Sequence, residues 1–216
     1  MRVLCILLIA GLMAGCQLNN GPSGRGYQTT GADPSRDTET ARIRTAAASK
    51  LIKSGRLEEA ERELRAALAA DLFFGPAHNN LGTVYFRQKR FYQAAWEYQY
   101  AAKLMPNKAE PLYNLGLVME AVGKLSDAVK CYEDAVQADP DYLEGVGGLA
   151  RAYIRSGRRD AKTRDLLSQI LLRDTRPEWL AWAREQTTMS GQPAADVTSR
   201  PSILRPSSVT TPSDKP

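Results

Sequence analysis

Residues 81–85 read LGTVY, residues 115–119 read LGLVM, and residues 149–153 read LARAY. The three are spaced by 34 residues with no gap, and one step earlier the equivalent positions hold Ala47, Ala48 and Leu51. The second half of each unit repeats in the same phase. Ala60, Ala94 and Ala128 are 34 apart, and four residues after each comes Leu64, Tyr98 or Tyr132. Ala67, Ala101 and Ala135 follow, and Pro106 and Pro140 close two of the units. A period in this range means that one supersecondary unit is copied along the chain, each copy burying its apolar face against the next.

The residue types fit paired helices. Small side chains at Gly82, Gly116 and Ala150, and at Ala60, Ala94 and Ala128 on the facing helix, let two backbones approach closely. Leu81, Tyr85, Leu115 and Tyr98 fill the space around them. Gly55, Gly123 and Gly157 fall between the two helices of a unit, where a left-handed backbone conformation ends a helix at little cost. Pro106 and Pro140 fall past second helices, where no amide donor is needed. The spacing predicts helices near 41–54, 57–70, 75–88, 91–104, 109–122, 125–138, 143–156 and 160–173. A ninth, 177–186, opens on Pro177 and Glu178 and carries Trp179, Leu180 and Trp182 to cap the stack.

This pattern resembles the tetratricopeptide repeat, a 34-residue helix-turn-helix of the type W-x2-L-G-x2-Y…A-x3-F…P. The resemblance covers about 41–176 and implies an all-α solenoid of about four repeats, near 41–74, 75–108, 109–142 and 143–176, plus the capping helix 177–186. The second and third units match best. The first has Arg44 in place of the aromatic and Leu72 in place of Pro. The fourth has Lys162 where the small residue belongs and Asp174 at the Pro position, so its second helix is expected to pack differently.

In that family the first helix of each pair lines a concave face that holds a polypeptide. The positions that carry over to this chain are Asn79, Asn80, Thr83 and Arg87 from the second unit. The third unit supplies Tyr113, Asn114 and Leu117, and the fourth Arg151 and Arg155. Asparagine amides offer both a donor and an acceptor to a peptide backbone, and the arginines suit an acidic group. The alternative reading is that the amides satisfy neighbouring helices and the arginines form a solvated face. The family's carboxylate-holding pattern is incomplete, because Ala46 and Gly148 lack the amide.

Two other segments flank the repeats. Arg2, the apolar run VLCILLIAGLM at 3–13 and the small residues Ala14 and Gly15 read as a secretory signal. Such a run is too short for a bilayer core about 30 Å thick. Leu12-Met13-Ala14-Gly15-Cys16 resembles the lipobox of bacterial lipoproteins. That resemblance implies a signal peptide at 1–15, a lipidated Cys16 and, with Gln17 after it, an outer-membrane destination. A plain signal peptide with an unmodified Cys16 is the alternative. Residues 16–40 and 187–216 are rich in Gly, Pro, Ser and Thr without apolar periodicity, which predicts a flexible tether and a disordered tail.

Composition excludes several functions. The formal charge of +5 is small and scattered, and an export signal further excludes a nucleic-acid partner. With one histidine, His78, the chain has no histidine-rich metal site, and the place of His78 in the repeat suits packing better than a Ser-His-Asp triad. Cys131 reads as a lone buried thiol. No catalytic residues, metal, cofactor or small-molecule substrate are expected. The expected function is a membrane-anchored scaffold of the bacterial envelope that binds another protein or an extended peptide segment. Lipobox and repeats together resemble pilotin-type and pilus-assembly lipoproteins. The alternative is an adaptor for peptidoglycan or outer-membrane assembly enzymes.

Overall fold

A computed structural model describes residues 36–189. The segment expected to be a signal peptide, Cys16, most of the expected tether and the residues from 190 onward lie outside the described residues. Within them the chain forms nine α-helices and no strand: α1 Thr38–Lys53, α2 Leu57–Ala70, α3 Gly75–Arg87, α4 Phe91–Leu104, α5 Ala109–Ala121, α6 Leu125–Ala138, α7 Leu143–Arg155, α8 Ala161–Arg173 and α9 Pro177–Met189. Consecutive helices pack antiparallel in pairs, and each pair packs on the next. The first helices also touch in series, α1 on α3, α3 on α5 and α5 on α7.

The repeat phase and the packing agree. Leu81, Leu115 and Leu149 are buried, as are all the Ala, Leu and Tyr positions of α2, α4 and α6 that recur at 34 residues. The small residues are there to admit rings. A methyl group added at Gly82 would lie 2.7 Å from the Tyr98 ring, and one at Gly116 would lie 2.4 Å from the Tyr132 ring. Units one and four hold another choice at these places: Ala48 and Ala150 replace the glycine, and leucines replace the tyrosine, Leu64 in unit one and the neighbouring Leu166 and Leu167 in unit four, all buried. Close approach is thus achieved by two matched pairs, glycine under tyrosine in the middle and alanine under leucine at the ends.

The turn inside each unit is one motif used four times. At the end of α1, Gly55 N–H donates to Ile52 O (3.1 Å) and Arg56 N–H to Leu51 O (2.9 Å). This is the Schellman arrangement, which needs a left-handed residue just past the helix. The same pair of bonds closes α3, α5 and α7. Gly55, Gly123 and Gly157 have φ of 77°, 77° and 81°; in the second unit the place is held by Lys89, with φ of 61°. The residue after the left-handed one then serves the ring buried in the helix before it. The Arg90 guanidinium sits 4.2 Å from the Tyr85 ring centre, and Arg158 sits 3.6 Å from that of Tyr153.

Two helix ends differ from the sequence reading. The first helix begins at Thr38, not near 41. Asp37 accepts a hydrogen bond from Thr40 N–H, while Thr38 Oγ1 (2.8 Å) and Arg36 Nε (3.1 Å) donate to the buried Asp71 carboxylate. A side-chain cap plus a long-range tie fixes residues that composition alone assigns to the tether. The last helix continues to Met189 because Gln186 is still buried and Thr187 Oγ1 bonds back to Ala183 O at 2.7 Å.

The second helix of the fourth unit does pack differently. The connection from α5 to α6 is residues 122–124, whereas that from α7 to α8 is residues 156–160. Asp160 caps the delayed start, accepting from Thr163 N–H at 3.0 Å. The buried face of α8 slips by one residue as a result. Lys162, which keeps the strict 34-residue phase, is exposed, and Thr163 takes the buried place. Leu166, Leu167, Ile170 and Leu171 complete the face.

The stack ends on a half-unit. α9 keeps the phase of the first helices, with Pro177 34 residues after Leu143. Trp179 is buried, and a methyl group at Gly147 would meet its ring at 2.9 Å. At the position of Gly82, Gly116 and Ala150 this helix has Arg184, which is exposed. A second helix cannot approach a bulky charged residue that closely, so α9 presents a solvated face and closes the apolar core.

Candidate protein-binding groove

The first helices carry the residues expected to grip a partner, and the structure divides them into two groups. Four are buried. Asn79 and Asn114 form a ladder between α3 and α5: Asn114 Nδ2 donates to Asn79 Oδ1 (3.0 Å), and Asn79 Nδ2 donates to Glu110 Oε1 (2.9 Å). Both amides are only 4% exposed, so they join neighbouring units and do not face a ligand. Tyr113 is 1% exposed, packed 5.6 Å from the rings of both Tyr132 and Tyr142. The expectation that these three side chains line an open surface is corrected by this packing. For Tyr113 the source is the next unit: Gly148 has no side chain of its own, and the Tyr113 and Tyr132 rings occupy that space.

Arg151 is the fourth. Its guanidinium donates to Glu120 Oε2 at 2.9 Å and lies 5.6 Å from the Trp179 ring centre. Burial works against its charge, but the Glu120 carboxylate outweighs this and holds its pKa above the ordinary value. Arg155 donates to the other oxygen of Glu120 (2.6 Å), and Tyr132 OH donates to Oε2 (2.9 Å). One carboxylate of the third unit therefore serves three donors and offsets part of the positive charge that the fourth unit brings to this face. Glu120 is the residue that sequence reasoning undervalued. It stands 31 residues before Arg151 and 35 before Arg155, the offsets at which adjacent first helices meet.

The remaining candidates are accessible. Asn80 is half-buried, its Nδ2 donating to Ser49 Oγ at 2.9 Å. Thr83 is half-buried and accepts from Tyr98 OH at 3.1 Å. Burial pushes the Tyr98 phenol up, so that group stays a neutral donor. Leu117 and Phe86 are half-buried apolar contacts, and Arg155 and Lys53 are exposed. Arg87 differs from the other arginines of this face. It donates to the Ile52 carbonyl at 2.6 Å, and among the described residues its buried Nε–H has no hydrogen-bond partner and its charge has no carboxylate partner.

Elsewhere the chemistry is closed off. His78 is buried, with Nε2 2.9 Å from Leu72 O and Nδ1 2.6 Å from Glu97. Because a carbonyl only accepts, Nε2 carries a proton. Burial, then Asp134 and Asp127, push the half-buried Cys131 thiol up to about 11, far from the thiolate form that reacts. Among the described residues no cluster of His, Cys, Asp and Glu has metal-binding geometry. None of these helices is long and apolar enough to cross a membrane.

Paired helices in fixed phase, with polar ties between successive first helices, define an α-solenoid of helix-turn-helix repeats. Tetratricopeptide-repeat family profiles match residues 45–109 and 119–182, and the chain is a tetratricopeptide-repeat protein. Among curated proteins it is similar to superkiller complex protein 3 of Mus musculus, 24% identical over 126 residues, which are 56% of this chain and 8% of that protein. It is also 28% identical over 95 residues to the tetratricopeptide repeat-containing protein trd-1 of Caenorhabditis elegans, covering 44% of this chain and 12% of the relative. The chain thus spans a small part of the length of these relatives. Among solved structures, the first repeat domain of Spaghetti (RPAP3) bound to the HSP90 peptide SRMEEVD superposes with a TM-score of 0.54, at 23% identity over 57% of this chain and 98% of that one. MamA gives a TM-score of 0.53 at 20% identity, covering 72% of this chain and 82% of MamA.

Proposed function

We propose that this protein is a membrane-anchored scaffold of the bacterial cell envelope that holds an extended segment of another protein along α1, α3 and α5. The observation that carries the reading is Arg87, a half-buried cation on the accessible face whose charge has no carboxylate partner among the described residues. An acidic side chain or chain end of the partner would supply that carboxylate. Asn80, about two helical turns earlier on α3, pairs with the partner's backbone in this reading, and Phe86 and Leu117 offer apolar contact. Arg151 and Arg155 serve a different end, since Glu120 occupies them. A related fold holding an HSP90 peptide supports a peptide-gripping role. Membrane attachment rests on the lipobox-like residues 12–16, and assembly of a pilus or secretion machine on the resemblance to lipoproteins of that kind. Adaptation of peptidoglycan or outer-membrane assembly enzymes is the second reading.

The test is photocrosslinking in cells from Asn80 and Leu117, with mass spectrometry of the products. A single partner, lost with Arg87→Glu, is expected. Crosslinks arising only from the opposite face, for example from Arg62 or Lys130, would overturn the groove assignment. Palmitate labelling of wild type and Cys16→Ser tests the anchor, and equal labelling removes it.

A further inference from the structure

The second helices α2, α6 and α8 turn charged faces to solvent. The exposed side of α4 is different. It carries Tyr92, Gln93, Trp96 and Gln99, with the half-buried Tyr100 beside them, and no charge before Lys103 near its end. The only carboxylate of this helix, Glu97, points inward to His78. Tyr92, Trp96 and Tyr100 are four residues apart and share one face. Trp96 and Tyr100 stack with ring centres 5.4 Å apart, and the His78 ring meets Tyr100 edge-on at 4.6 Å. Because His78 is bonded to the Leu72 carbonyl, the turn bearing Leu72 and Phe73 adjoins this face. Tyr92 is 90% exposed, Trp96 58%, Leu72 57% and Phe73 46%.

We infer that this face is where a second copy of the chain docks, α4 against α4 across a two-fold axis. The argument is one of charge and area. Near a two-fold axis each group meets its own copy, so a charged residue there faces a like charge. On α2, α6 and α8 a central crossing would bring Arg62, Lys130 or Asp165 against itself. On α4 it brings Trp96 of each copy against Gln99 of the other, whose amide both donates and accepts. An antiparallel crossing centred between Trp96 and Gln99 also sets the one cation, Lys103, of each copy beside Tyr92 of the other, where a cation is attracted to the ring face. At about 200 Å² per aromatic side chain, the exposed rings and Leu72 present on the order of 500 Å². With the glutamines and Lys103 this approaches the roughly 800 Å² per partner of a specific interface, at its weak end. The pairing is a reversible dimer that leaves the face of the first helices free.

Sedimentation equilibrium of the full chain, in a non-ionic detergent with its mass matched out, reads the association directly. A monomer–dimer equilibrium with a dissociation constant of about 10 μM is expected, as befits a small interface. Trp96→Glu should weaken it at least about tenfold, by setting two carboxylates close together across the axis, and Tyr92→Lys should do the same by placing a like charge beside Lys103 of the other copy. Tyr92 is so exposed that its variants keep the wild-type melting temperature, and Tyr92→Gln separates loss of the ring from added charge. Val122→Glu, an exposed apolar residue outside the patch, should leave the dimer intact. A monomer at every concentration overturns the inference; if deletion of residues 190–216 then brings out the dimer, the tail is the occupant. A dimer that survives Trp96→Glu and Tyr92→Lys, or that Asn80→Arg abolishes in their place, assigns the contact elsewhere and also overturns it.

Discussion

The middle units and the last unit are built on the same 34-residue spacing and solve the same problem differently. In α3–α4 and α5–α6 the helices meet through a glycine under a tyrosine ring, and the in-phase alanines of the second helix, Ala94 and Ala101 or Ala128 and Ala135, are buried. In α7–α8 two extra loop residues delay the helix start, alanine meets leucine, and the buried face moves on by one residue. The lesson is that the repeat specifies the first helices strictly and the second helices only through their connection. First helices must also contact the first helices before and after them, so a slip there breaks two interfaces. A second helix at the end of the stack has one neighbour fewer and can adjust.

The comparison is broken most severely at Ala128 and Lys162, which are equivalent by count and not by environment. Ala128→Arg forces a long cation into a fully buried contact, and the cost is expected to be several kcal/mol, about 3 or more, with partial loss of helicity. Lys162→Arg, at the exposed equivalent, should change stability by less than about 0.5 kcal/mol. Chemical denaturation followed by circular dichroism measures both. Similar costs at the two sites would mean that α8 keeps the strict phase.

A second experiment converts one solution into the other. Gly116→Ala puts a methyl group into the Tyr132 ring, for an expected cost of about 1–3 kcal/mol. Tyr132→Leu alone leaves a void and strands Glu120 without one of its three donors. Together they recreate the alanine–leucine pair of the last unit. The double variant should therefore be more stable than the sum of the single costs predicts, with a coupling of about 1 kcal/mol or more in a double-mutant cycle. Simple additivity would show that the matched pairs are coincidental.

Much of this contrast was legible in the residues. The period located every helix start in the repeats after the first to within a residue, because Gly82, Gly116 and the Ala series can be explained only by close backbone approach. Lys162 and Asp174 marked the fourth unit as irregular. The first helix start was hidden, because Asp37 looks like linker until Asp71 is known to lie beside Arg36 and Thr38. The inner face was legible by position and misread by exposure. Asn79, Asn114 and Tyr113 sit where the repeat puts them, but whether such a residue meets solvent depends on its neighbour one unit on. For Tyr113 that neighbour is Gly148, whose missing side chain leaves room for the Tyr113 and Tyr132 rings, while Asn79 and Asn114 are buried in bonds to Glu110 and to each other. The Glu120 pairings were likewise invisible within one unit, since they link residues 31 and 35 apart.

The capping residue of α8 sharpens the comparison through pH. Asp160 accepts from Thr163 N–H and lies beside the Arg158 guanidinium, and these hold its pKa down at about 2 against an ordinary 3.8. The sign follows from linkage: a carboxylate depressed in the folded state adds stability above its unfolded pKa and loses it as pH falls through the folded value. The loss is therefore confined to the window from about pH 4 down to about pH 2. It should be absent in Asp160→Asn, which keeps an acceptor without the charge. Acid titration of stability in both proteins tests this, and parallel curves would remove Asp160 as the group responsible. The middle units, whose second helices have no side-chain cap, should show no equivalent local step.

The smallest effect is expected at the one turn that departs from glycine. Gly55, Gly123 and Gly157 occupy the left-handed position without cost, whereas Lys89 holds it with a side chain, at a penalty of about 1 kcal/mol for a residue with a Cβ. Lys89→Gly relieves that penalty and also enlarges the freedom of the unfolded chain, which takes back part of the gain. The net expectation is a stabilisation of about 0.5 kcal/mol, visible as a small rise in melting temperature. The reverse change, Gly123→Lys, meets nothing within 4 Å and should cost about 1 kcal/mol from backbone conformation alone. If Lys89→Gly instead destabilises, the lysine stem must contribute packing across the Schellman turn that outweighs its backbone strain. The second unit would then be held by its turn as well as by its core.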